Sequence, residues 1–197
     1  MDTDTIFGIL SNEKFLRMEG LGNEVPFFVH TYDIADQVAM YRRIDELVKR
    51  LETAGIRTLL ISLYDMVINH FNESDELEDL FEFEPTVSKA EFQAEMHSYT
   101  NPEDLVRPHF TKRIAEDAYR LILVYQVGEV FPFMRTHNVL NNLQTVMTDR
   151  PLEVFFPGEY ETSPELGFNL SLFGKFPGPY YRAFKLEDYL IRGNINA

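Results

Sequence analysis

The chain has 197 residues, 45% of them hydrophobic and 14% aromatic, enough material for the core of one sizeable domain. Its formal charge is −14 and uneven: residues 1–100 carry 20 acids and 8 bases, residues 101–197 carry 12 and 10. No Lys/Arg stripe is available to displace counterions from duplex DNA, no eighteen-residue apolar run suits a membrane span, and the lack of cysteine excludes disulfides and thiolate metal sites.

The acidic start "MDTDTIFGIL" has no basic n-region of a secretory signal, so a soluble cytoplasmic protein is expected. "VPFFVHTYD" (25–33) reads as a short apolar strand. In "DQVAMYRRIDELVKRLETAG" (36–55), Val38, Tyr41, Ile44, Leu47, Val48 and Leu51 share a helical face, with Asp36 as N-cap and Gly55 as stop. "IRTLLISLY" (56–64) barely alternates, as expected of a strand covered on both faces, and completes a βαβ unit.

Residues 65–118 read as a helical segment within the domain. "ESDELEDLFEFE" (73–84) has seven acids and no base, yet Leu77, Leu80 and Phe81 make an i, i+3, i+4 stripe that predicts a helix with one buried edge. The ordinary meaning of such a run is a solvated helix face; the functional alternatives are mimicry of nucleic-acid charge and docking on a basic partner. "SKAEFQAEMHSY" (88–99) carries Ser88 and Glu91 in capping-box register. "NPEDLVRPHFTKRIAEDAY" (101–119) predicts a helix capped by Asn101, with Pro102 at its first position and Pro108 kinking or dividing it.

"RLILVYQV" (120–127) is the clearest buried strand. "PLEVFFPGEY" (151–160) predicts a strand ending in a Pro-Gly turn, "FNLSLF" (168–173) an edge strand, "PGPYYRAFKL" (177–186) a turn before an aromatic strand, and "EDYLIR" a last helical turn. The alternation predicts a single α/β domain over 1–197: three layers around a mostly parallel sheet, with the helical segment inserted mid-chain.

Chemistry-bearing motifs are sparse. There is no phosphate-cradling P-loop; "GLG" at 20–22 precedes a strand rather than following one; no serine sits in G-x-S-x-G. The five histidines are dispersed and form no metal-ligand pair, so neither a metal nor a cofactor is expected, and no catalytic residue is assigned.

The candidate surface is "VGEVFPFMRTHNVLNNLQ" (127–144), directly after the buried strand, where open α/β sheets bind ligands. It holds Glu129, Arg135 and His137. Three readings stand: an acid–base pair, a Glu129–Arg135 ion pair, and a recognition loop. In the following helix Val139, Leu140, Leu143, Val146 and Met147 form an apolar face, opposite Asn138, Asn141, Asn142 and Thr145. Asparagine costs a helix roughly 0.5 kcal/mol per site against alanine, so an amide face suits hydrogen bonding to a partner or to the protein's own loops. Glu159 and Tyr160 are placed at the rim of the Pro-Gly turn. Tyr180, Tyr181, Arg182 and Phe184 form an aromatic-plus-Arg mixture, with Tyr181 and Phe184 toward the core and Arg182 outward.

The series "VGEVFPFMRTHNVLNNLQ", "VFFPGEY", "LFG" and "YYRAF", with "FFVHTYD" and "LLISLYDMV" upstream, resembles the BrxB family over about residues 20–190. BrxB is a small core component of bacterial BREX bacteriophage-defence systems. The resemblance implies an α/β fold and a protein working beside a methyltransferase, an AAA+ ATPase and PglZ, a member of the alkaline phosphatase superfamily. It carries no site residues across. The expected function is a non-catalytic interaction subunit that binds PglZ. The alternative is a nucleotide- or phosphate-binding module with Arg135, His137 and Arg182 on the anion and Glu129 on a metal or water.

Overall fold

The computed structural model describes residues 1–20, 25–163, 167–180 and 183–191. Its centre is a parallel sheet in the order β2-β3-β4-β1-β7, from β1 (Phe27–Tyr32), β2 (Thr58–Ser62), β3 (Leu121–Tyr125), β4 (Leu152–Ser163) and β7 (Phe184–Lys185). Where they lie side by side, the first four strands are mainly apolar on both faces because both are covered, with His30 and Glu153 as buried polar exceptions. Alternate residues feed two separate cores. Phe27, Val29, Ile122, Val124, Leu152, Val154 and Phe156 face the side covered by α4 (Leu63–Glu73), α7 (Val106–Ile114) and α8 (Thr136–Leu143). Phe28, Tyr32, Leu121, Leu123 and Phe155 face α1 (Thr3–Leu10), α2 (Glu13–Leu16), α3 (Gln37–Thr53) and α9 (Asp188–Ile191). The three-layer α/β arrangement expected from the alternation of elements is therefore present. Among the described residues, no helix is long and apolar enough to cross a membrane.

Several local expectations need correction. β1 and β2 do not pair: both β3 and β4 lie between them, so the β1-α3-β2 crossover spans the sheet. β2 ends at Ser62, whose hydroxyl caps α4 by accepting from the Asp65 amide, so Leu63 and Tyr64 are helical. In α3, Met40 is buried in place of Val38, which is 65% exposed. Asp36 makes no side-chain cap, whereas Gly55 does end the helix, at φ +78.

The acidic run folds as α5 (Leu77–Phe83), but Phe81 points outward, 61% exposed, while Leu77 and Leu80 only partly bury. α6 (Lys89–Tyr99) begins with the expected Ser88–Glu91 capping box. Asn101 caps a turn rather than a helix, and α7 begins later, which leaves Pro108 in a first turn where no N–H is needed.

The largest departure is at Pro157-Gly158, which is no turn. β4 runs straight through it, parallel to β1 up to Pro157 and antiparallel to β5 (Gly167–Leu172) from Gly158 onward. β5 is accordingly internal, paired on its other side with β6 (Phe176–Tyr180), which absorbs the Pro-Gly-Pro that resembled a turn. This antiparallel wing stands at the carboxyl end of the parallel sheet, beside the loop that leaves β3.

Candidate functional site

The loop after β3 is anchored by apolar side chains. Val127, Val130 and Met134 are buried, and the Thr100 hydroxyl donates to the Phe133 carbonyl at 3.1 Å, tying the loop to the helical insertion. Gly128 is required by close approach: a Cβ there would sit 2.9 Å from the Phe173 ring and 3.0 Å from Pro157. The loop thus lies flat on the antiparallel wing.

Between loop and wing is a narrow apolar slot of about 40 Å³. Val127, Met134, Phe156, Leu170 and Leu172 wall it, and Phe131 and Phe176 close one side with ring centroids 4.8 Å apart. Arg135 and His137 stand on its lining. The Arg135 guanidinium lies 5.6 Å from the centroid of the Phe131 ring and is otherwise exposed, without an ion pair among the described residues. Burial, then the Arg135 charge, holds the half-buried His137 below its ordinary pKa, so near neutral pH it is uncharged. Arg135 occupies the N-cap position of α8 and makes no side-chain cap, which leaves first-turn amides of that helix without a side-chain acceptor. The slot is far below the roughly 300 Å³ at which small-molecule pockets begin. It fits an inserted side chain.

Glu129 goes elsewhere. The expected alternative of a Glu129–Arg135 ion pair is not formed; Glu129 instead accepts a hydrogen bond from Tyr41 of α3, while its second oxygen is buried without a partner. Burial, then the bond to Glu129, holds the Tyr41 phenol far above its ordinary pKa. Burial and the Glu129 charge do the same to Tyr32, the last residue of β1. This cluster sits where the chain leaves β1 for one face of the sheet and β3 for the other, the position at which open α/β sheets build sites. Tyr41 was legible only as part of an apolar helix face. Tyr32 is visible in retrospect as a hydroxyl at the carboxyl end of a buried strand.

Asn138 and Asn141 of α8 are exposed, and Asn142 is half-buried with its amide donating to the Asn138 carbonyl at 2.9 Å. The apolar face is shorter than expected: Val139, Leu140 and Leu143 bury within the helix, and Val146 and Met147 lie beyond its end. Asn141→Ala with Asn142→Ala is expected to leave the fold intact and to raise its stability by up to about 1 kcal/mol, since alanine is the better helix former. A urea-unfolding midpoint measures this; a clear drop would show that the amides support the fold.

Glu159 is exposed on β4 beside Gly174. Tyr160 is half-buried, its hydroxyl donating to the Ala183 carbonyl at 2.7 Å and its ring lying 4.8 Å from the Lys185 ammonium. It clasps the segment before β7. Arg182, Tyr181 and the Tyr180 side chain lie outside the described residues; Phe184 is half-buried against the core of the α3 face.

The family model described as "BREX protein BrxB" matches residues 59–186, a span that includes the slot, α8 and the antiparallel wing. The chain is similar to a BREX protein BrxB of Bacillus cereus (strain H3081.97), 29% identical over 190 residues, covering 94% of this chain and 95% of the relative. It is also similar to a BREX protein BrxB of Escherichia coli O9:H4 (strain HS), 25% identical over 178 residues, covering 90% and 86% respectively. No solved structure matches.

Proposed function

The chain belongs to the BrxB family, part of the BREX antiviral defence systems, and from that premise we propose that it is a non-catalytic interaction subunit docking on another BREX protein through the slot beside α8. The observation that carries this reading is the slot itself: apolar inside, too small for a nucleotide, and lined by the exposed cation Arg135. Buried apolar anchors ringed by polar groups are the usual anatomy of a protein interface, and Arg is among the residues that carry most of its energy. Asn138 and Asn141, exposed in the first two turns of α8, extend the polar surface beside it. PglZ is the BREX partner we assign to this surface; the methyltransferase and the AAA+ ATPase are the other candidates.

Arg135→Glu is expected to weaken co-purification of PglZ by at least tenfold, on the order of 1.4 kcal/mol. The thermal midpoint of the isolated protein should barely move, because the guanidinium is exposed. Cross-links in the wild-type complex should map to residues 127–142. Undiminished association with PglZ, together with stabilisation by nucleotide that Arg135→Ala abolishes, would replace this reading with the phosphate-binding alternative.

A further inference from the structure

A second surface lies on the helical insertion. Phe71 of α4, Leu80 and Phe83 of α5, and Tyr99 of α6 floor a groove of about 190 Å³, and Glu76, Asp79 and Glu95 stand on its rim. Residues 76, 79, 80 and 83 recur at i, i+3, i+4 and i+7, so α5 with its preceding residue turns one face to the groove. The floor is held in shape by ring contacts: Phe71 meets Tyr99 edge-on at 5.4 Å, and Phe83 lies 6.3 Å from Phe92.

Phe71 belongs to the core beneath α5, but Tyr99 is 37% exposed and Leu80 and Phe83 are only half-buried, so the groove keeps apolar surface open to solvent. No Lys or Arg lines this groove, and none of the three rim carboxylates makes a salt bridge among the described residues. Glu76 accepts from the Ser74 hydroxyl at 2.8 Å, and otherwise the acids face outward. Glu78 and Glu82 carry the charge along the exposed side of α5, where Phe81 also protrudes, and Glu84 continues it just past the helix end.

We propose that this groove binds a basic, amphipathic peptide segment of a protein partner, one apolar side chain seated over Leu80 and Tyr99 and Lys or Arg side chains paired with the rim. The space suits side chains rather than a cofactor. Burial of the anchor supplies affinity, the carboxylates orient the segment and speed its approach, and an arginine gains further from a phenol or phenyl face. The acidic rim repels nucleic acid and anionic membrane alike, which leaves a basic polypeptide as the complementary occupant. This surface is separate from the slot beside α8, so each can fail without the other.

Fluorescence anisotropy on the full chain tests it with three labelled peptides. The first is a helix-forming peptide with Leu/Phe anchors and a Lys/Arg face. The second has the same cations with the anchors changed to serine, and the third has the anchors with glutamate in place of the cations. The first should bind at least about tenfold more tightly than either of the others, with an affinity that weakens as salt rises. Asp79→Lys combined with Glu95→Lys, both exposed positions, should remove about tenfold or more of that binding without lowering the thermal midpoint. Amide exchange should slow across 71–99 when the first peptide is bound. Equal binding of the first two peptides, unchanged binding by the double variant, or protection confined to other residues would each overturn the proposal.

Discussion

Gly158→Ala is expected to lower the thermal midpoint by about 6–12 °C, the equivalent of roughly 3 kcal/mol in a chain of this size. A Cβ at residue 158 would lie 2.2 Å from the Ser171 carbonyl oxygen and 2.8 Å from the Phe173 amide nitrogen. Both are backbone atoms of the neighbouring strand and its end, so neither can swing aside as a side-chain terminus would. Overpacking of this kind costs about 1–3 kcal/mol, and the backbone at φ +152 adds strain of about 1–3 kcal/mol for any L side chain. Relief requires β4 and β5 to separate where the Phe173 amide also bonds the Pro157 carbonyl at 2.9 Å. Calorimetry of the purified variant gives the number. A fall of only a degree or two would mean that the Pro-Gly joint behaves as a free turn.

Glu153→Gln is expected to flatten the dependence of stability on pH. Glu153, the second residue of β4, lies between Phe28 of β1 and Leu123 of β3, is fully buried on the α3 face, and neither of its oxygens has a hydrogen-bond partner among the described residues. Burial, then the charge of Glu187, pushes its pKa well above the ordinary carboxylate range. Glu187 behaves oppositely: burial works against its charge, yet the bond to His30 Nδ1 at 2.8 Å holds its pKa below the ordinary value.

For Glu153 the folded protein therefore keeps a proton that the unfolded chain releases near its ordinary value of 4.5. Its contribution to stability is fully present below that value and is lost as pH rises toward the raised folded pKa, by up to about 1.4 kcal/mol per pH unit. Glutamine removes the titration, so the urea midpoint of the variant should gain on the wild type steadily as pH rises from 4.5 toward neutrality. Parallel curves for the two proteins over that range would mean that Glu153 is hydrated or paired in solution.

The elements most legible in the sequence are those specified by contacts within a few residues or by burial on both faces. β1, β2 and β3 announce themselves as apolar runs, α6 by its capping box, and the end of α3 by Gly55. The three-layer class follows, because both-face burial in several strands requires helices on both sides. The position of the candidate loop at the carboxyl end of β3 was legible for the same reason.

What only the tertiary structure decided is pairing across long stretches of chain. β1 lies against β4 with more than a hundred residues between them, Glu129 reaches Tyr41 rather than Arg135, and the two Pro-Gly steps lie inside strands. The slot gathers its walls from the β3 loop, β4, β5 and β6. Proline and glycine at 157 and 158 report only that one N–H is missing and that one residue has no side chain. Whether the chain turns back there or continues is decided by the neighbouring backbone, which presses to within 2.2 Å of where a Cβ would be. Such approaches leave no periodicity in the sequence, because the partner's position depends on how the whole sheet closes.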